Sequence, residues 1–272
     1  MKSPAVFAAA LILAIAVARP SRAQEARRGT PPPAGPQSSG PRRGGPPPAA
    51  QQDAPIDLTG NWVSVVTEDW RYRMITPAKG DYNGVPMTAD ARKAADAWDP
   101  AADDKAALQC RSYGAATIMR VPGRLRISWS DPNTLRVDTD AGMQKRLFHF
   151  GPLRKSPDRS WQGDSSAEWQ TPRAGRGQPG APPPRPATGS LKVVTTNLKG
   201  GYLRKNGVPY SEDATVTEYY NIAHLQTGLD VMVVTTIVND PKDLTQPFVV
   251  SSQFTREADG SKWDPTPCSA TW

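Results

Sequence analysis

Residues 124–139 read RLRISWSDPNTLRVDT. Leu125, Ile127 and Trp129 alternate with polar neighbours, the period of two expected of a strand with one buried face. Asp131, Pro132 and Asn133 supply turn chemistry. Alternation then resumes at Leu135, Val137 and Thr139, so the stretch predicts a β-hairpin.

The same period extends outward in both directions. Segments 143–150, 190–197, 214–221, 229–238 and 248–256 read as further strands, with 60–66 and 70–76 opening the series. Lys205, Asn206 and Gly207 form another hairpin-turn signal. Only 88–98 and 101–110 look helical; both are alanine-rich, and Thr88 is a candidate N-cap. Many short strands joined mostly by turns predict a mainly β fold. An antiparallel sheet closed into a barrel, with a short helical insertion, accommodates them without exposed edges.

The ends of this region are set by composition. Lys2 precedes an apolar run at 5–18, the length of a secretory signal core and short for a membrane span. Ser21 and Ala23 place small residues at a cleavage site, so residues 1–23 are expected to be removed and the mature chain exported to the periplasm or beyond. Residues 24–52, rich in Pro, Gly and Arg, lack the apolar side chains that would repay folding and predict a disordered linker. A similar stretch at 172–189 predicts a flexible loop within one β-rich domain spanning 53–272.

The net charge of +7 is concentrated in the first 52 residues, which hold seven Lys/Arg and one acid. The remainder, with 26 basic and 25 acidic groups, is close to neutral. Nucleic acid is therefore not an expected partner. The arginine pairs Arg27-Arg28 and Arg42-Arg43 offer at most a weak contact with an anionic envelope surface. Cys110 and Cys268 are the only cysteines, and in an exported chain they are expected to form a disulfide. With only His149 and His224 available, no multi-histidine metal site can be built, and no metal or cofactor is expected.

The segment DLTGNW, residues 57–62, resembles the G-x-W opening of lipocalins and their calycin relatives. That resemblance implies a β-barrel in which Trp62 packs across one end against a basic side chain near the end of the last strand, here Arg256. Longer stretches, among them IMRVPGRLRISW and LKVVTTNLKGGYLRKNGVPYS, resemble a set of uncharacterised exported bacterial proteins, over nearly all of residues 56–268. This second resemblance implies export but no particular activity.

The densest polar-aromatic stretch is EDWRYRM, residues 68–74. Read as a strand, it puts Arg71 and Arg73 on one face and Trp70, Tyr72 and Met74 on the other. If the arginine face looks into the barrel, Arg71 and Arg73 would hold the anionic end of a mostly apolar ligand. His149, Glu68 and Asp69 are weaker candidates for acid–base chemistry. No nucleophile elbow, phosphate loop, dinucleotide fingerprint or zinc-protease motif occurs. The expectation is a small-molecule-binding barrel first, an enzyme on the same scaffold second, and an envelope structural protein third.

Overall fold

A computed structural model describes residues 49–153, 155–171 and 188–271. The expected signal peptide, the linker as far as residue 48 and nearly all of the 172–189 loop lie outside the described residues.

The chain is mainly β. Nine strands close a barrel in the order β1-β11-β10-β9-β6-β5-β4-β3-β2. They are β1 (Gly60–Val65), β2 (Arg124–Asp131), β3 (Thr134–Thr139), β4 (Lys145–Phe150), β5 (Asp164–Gln170), β6 (Ser190–Thr196), β9 (Thr215–His224), β10 (Asp230–Asn239) and β11 (Phe248–Glu257). A separate hairpin joins β7 (Gly201–Arg204) to β8 (Val208–Tyr210) through the Lys205–Gly207 turn. The Arg124–Thr139 hairpin forms as its alternation predicts, with a register shift between Trp129 and Asp131.

One pairing departs from the all-antiparallel expectation. β4 and β5 run parallel, with Phe148 opposite Ser165 and Phe150 opposite Ala167. A parallel neighbour needs a connection that travels back along the strand, here between Phe150 and Asp164. Period two specifies strands but not their direction.

The registers place β1 and β6 so that they end, and β2, β9 and β11 so that they begin, at the same rim of the barrel. Both long excursions, 66–123 and 197–214, therefore leave and re-enter there. They fold into a cap with its own apolar cluster, including Tyr82, Val85, Leu203, Val208, Tyr210, Val238 and Phe248. The barrel interior is filled by Trp62, Leu125, Ile127, Leu135, Val137, Phe148, Leu191, Val193, Tyr220, Met232, Val234 and Phe254. Ile118, Met119 and Val121 of the cap excursion join this inner cluster.

The 70–76 stretch is not a strand. Asp69 adopts a left-handed conformation at φ 50°, and Trp70–Arg73 forms the one-turn helix α1. Arg73 is drawn inward by polar contacts, while Trp70, Met74 and Ile75 stay exposed. Tertiary charge pairing overrides the local alternation here. Helix α2 (Ala89–Asp96) forms with Thr88 as its cap, the hydroxyl accepting from Ala91 N at 3.2 Å. The expected 101–110 helix is shorter: α3 (Pro100–Lys105) ends before left-handed Ala107, and a 3₁₀ turn follows at Gln109–Tyr113. His224 is the last residue of β9 and exposed, its Nδ1 2.6 Å from Asp230 Oδ1.

Two tethers bind the ends to this body. Cys110 and Cys268 form a disulfide across 158 residues of sequence. At the opposite rim Ala50 N donates to Asn133 Oδ1 at 2.9 Å, and Trp169 Nε1 donates to Ala50 O at 2.8 Å. Residues 49–52 thus rest on the barrel, and its body begins before Asp53.

Candidate functional site

Trp62 and Arg256 lie directly opposite each other on β1 and β11, so their side chains share a face. The Arg256 guanidinium sits 4.3 Å from the Trp62 ring centroid. Its Nη2 donates to Asp57 O at 2.8 Å and its Nε to Asp230 Oδ2 at 3.2 Å. Trp62 is fully buried, and its indole donates to Leu58 O at 2.9 Å.

Arg71 and Arg73 do not share a face, because residues two apart on a helix point in nearly opposite directions. Arg71 is exposed and pairs with Asp81. Arg73 is buried beneath the cap: its Nε donates to Arg120 O at 2.9 Å and its Nη1 to the Glu68 carboxylate. Asp69 accepts from Arg120 Nη2 at 3.2 Å. Glu68 and Asp69 are thus partners of arginines. His149 is half-buried on β4, its Nδ1 3.2 Å from Thr134 Oγ1. The structure does not bring His149 together with Glu68, Asp69, Arg71 or Arg73 in one pocket.

An arginine fully buried inside the barrel is Arg146. It forms a two-pronged pair with Glu218, Nη1 to Oε1 at 2.8 Å and Nη2 to Oε2 at 2.6 Å, with both side chains fully buried. Thr195 accepts a further bond from Nη2 at 3.2 Å, and Tyr220 OH donates to Glu218 at 3.2 Å. An internal carboxylate therefore neutralises the internal guanidinium, as burial of a charge requires.

A cavity of about 710 Å³ lies in the cap, between the α2–α3 corner and the β7–β8 hairpin. Local sequence fixes each wall. Asp99 caps α3, accepting from Ala101 N at 3.0 Å, with Pro100 at the first helical position. The buried Ala91 and Ala95 let α2 approach β8 closely. Gly207 has φ +80°, and a Cβ there would meet Trp98 Cβ at 2.2 Å, so only glycine lets the turn seat that indole. Gly201 passes Arg111 O just as closely, a Cβ there falling 2.6 Å from it.

One side of the cavity holds a charged triad. Asp103 Oδ1 accepts from Arg111 Nη1 at 2.9 Å, and Oδ2 accepts from the Tyr202 hydroxyl at 2.8 Å. Arg111 Nη1 also donates to the Tyr202 oxygen at 3.0 Å. Burial, and then the bond to Asp103, pushes the Tyr202 hydroxyl up to about 12, which keeps it a neutral donor at physiological pH. Arg111 follows Cys110, so the disulfide anchors its backbone to the C-terminal segment.

The other side carries Glu212, Lys242 and Asp243. Asp240 organises this rim: its Oδ1 accepts from Ser211 Oγ at 2.8 Å, Lys242 N at 3.0 Å and Asp243 N at 3.2 Å. Asp243 is half-buried, and its carboxyl is raised by burial and by the Asp240 charge. Among the described residues its carboxylate has no hydrogen bond or ion pair. The cavity is thus lined by four acids (Asp99, Asp103, Glu212, Asp243) and two bases (Arg111, Lys242), a formal charge of −2, beside the aromatic faces of Trp98 and Tyr202.

None of these residues is singled out by a motif, since their partners are remote in sequence. Asp103 and Tyr202 are 99 positions apart. The one local signal is Arg111 beside a bridged cysteine. Two smaller cavities are about half the size. One, of about 340 Å³, lies at the far rim between residues 51–59 and Trp129, Leu135 and Trp169. The other, of about 350 Å³, lies on the barrel's outer wall beside Arg126 and Trp263. Among the described residues no group of three or more His, Cys, Asp or Glu is placed to hold a metal ion. No family model, no curated protein and no solved structure matches this chain.

Proposed function

We propose that this is an exported binding protein that holds a small amphipathic molecule in the cap cavity, with the barrel as its rigid support. One observation carries the reading: the cap cavity joins stacking surfaces, Trp98 and Tyr202, to a fixed Asp103–Arg111–Tyr202 triad and a partly buried acid. Ligand sites characteristically combine apolar walls with a few positioned polar groups. The barrel interior, by contrast, is occupied by its own side chains.

The charge of −2 favours a neutral or cationic ligand that donates hydrogen bonds, over the anionic one suggested by Arg71 and Arg73 in the sequence. Export is supported by the N-terminal signal pattern and by the disulfide. The G-x-W opening, with Arg256 stacked on Trp62, supports kinship with lipocalin-like barrels.

A hydrolase or isomerase is the second reading, favoured by Asp243. A half-buried carboxyl with a raised pKa in a cavity is suited to act as a general acid. His149, Glu68 and Asp69 do not line that cavity and have no part in it.

A thermal-shift screen of neutral and cationic amphipathic compounds tests the proposal. A true ligand raises the melting temperature of the native protein and of Arg126→Ala, which alters the outer-wall cavity. It has no effect on Trp98→Ala. A ligand whose effect survives Trp98→Ala, or is lost in Arg126→Ala, would overturn the assignment.

A further inference from the structure

Under α1, on the other side of the β7–β8 hairpin from the cap cavity, three guanidinium groups converge. Arg73, Arg120 and Arg204 are all more than nine-tenths buried. They line a cavity of about 10 Å³ with Tyr72, Thr117, Val121, Leu203 and Lys205. That is room for a single water-sized sphere.

The charges do not balance. Arg73 pairs with Glu68 and Arg120 with Asp69. Arg204 makes no ion pair among the described residues; its guanidinium carbon lies over the Tyr72 ring, 3.9 Å from the centroid. Asp81, the next acid, is engaged by Arg71 and by Tyr72 OH at 3.2 Å. Arg120 moreover repels both Arg73 and Arg204. Four buried donors in this cluster have no hydrogen-bond partner among the described residues: Arg204 Nε and Nη1, Arg73 Nη2 and Arg120 Nη1.

A buried guanidinium without a counter-charge is strongly unfavourable, and so is a buried N–H without an acceptor. A neutral water would satisfy donors but leave the excess charge. A tetrahedral oxyanion is too large for the space. We infer that this cavity is a site for one monatomic monovalent anion, a halide of chloride size, held by Arg204 with Arg73 and Arg120. Val121, Leu203 and the Tyr72 ring exclude solvent around it, which strengthens each charge-assisted bond. The site is structural: a bound halide fastens α1 and its Glu68–Asp69 approach to the β7–β8 hairpin.

The test holds ionic strength fixed and exchanges the anion. In sodium chloride or bromide, against sodium gluconate, the melting temperature of the full-length protein should rise saturably, by about 5–10 °C at a hundred times the dissociation constant. Arg204→Met should lose that dependence, while Arg71→Gln, whose side chain points to solvent, should retain it. Equal melting temperatures in chloride and gluconate, or a halide response unchanged in Arg204→Met, would overturn the inference. Bromide anomalous scattering from crystals of the native protein decides the matter should Arg204→Met fail to fold. A peak among Arg73, Arg120 and Arg204 upholds the site, and its absence from bromide-soaked crystals refutes it.

Discussion

At Lys205 the cost of burying an ammonium group becomes a measurable pH dependence. Its Nζ donates to Tyr113 OH at 2.7 Å and Ser269 O at 3.2 Å, and burial lowers its pKa to about 7. The unfolded chain keeps that proton up to its ordinary pKa near 10.5, so between about 7 and 10.5 the unfolded state binds more protons. Stability from this group is therefore complete above 10.5 and is lost as pH falls toward 7. Urea unfolding in chloride-free buffer should show native stability dropping, relative to Lys205→Met, by on the order of 3 kcal/mol from pH 10 to pH 7. Parallel pH profiles for the two proteins would show that Lys205 stays charged in the fold. The sequence presents Lys205 only as part of a turn, because burial depends on Tyr113 and Ser269, 92 and 64 positions away.

Among the elements, the two cap excursions divide what local sequence can and cannot specify. The β7–β8 hairpin is announced by Asn206-Gly207, since that turn needs a residue with φ above zero, and Gly207 supplies it at +80°. Helix α1 is misannounced. Its Trp70-Arg71-Tyr72-Arg73-Met74 alternation reads as a strand, but Glu68 and Arg120 O capture Arg73 and leave Trp70 63% exposed. The 3₁₀ turn Gln109–Tyr113 is held by the disulfide, whose partner Cys268 lies beyond the last strand. Closing 158 residues of chain constrains the unfolded state, and removing such a bridge costs roughly 2–5 kcal/mol. Cys110→Ser with Cys268→Ser should unfold at lower denaturant by that amount and should also loosen Arg111 in the cap cavity. Equal stability of the two proteins would mean that neither the turn nor the C-terminal segment depends on the bridge.

For the whole molecule, the barrel is the part most legible in sequence. Alternation specifies strands, consecutive turns make them neighbours, and paired residues such as Trp62 and Arg256 follow once β1 and β11 close the sheet. The parallel β4–β5 contact and the internal Arg146–Glu218 pair were not legible. Both depend on how far a connection travels and which faces meet across the barrel, which no local period records. The cap cavity is harder still to read, because its walls come from five separate stretches between Ala94 and Asp243.

On the proposed function, the cap cavity, rather than the filled barrel, holds the ligand. Native mass spectrometry of the protein purified from its own cells without refolding distinguishes the two, comparing the native chain with Trp98→Ala and with Tyr202→Phe. A small-molecule adduct is expected on the native protein, lost in Trp98→Ala and weakened in Tyr202→Phe. An adduct carried equally by all three proteins, or no adduct on the native protein, would contradict it.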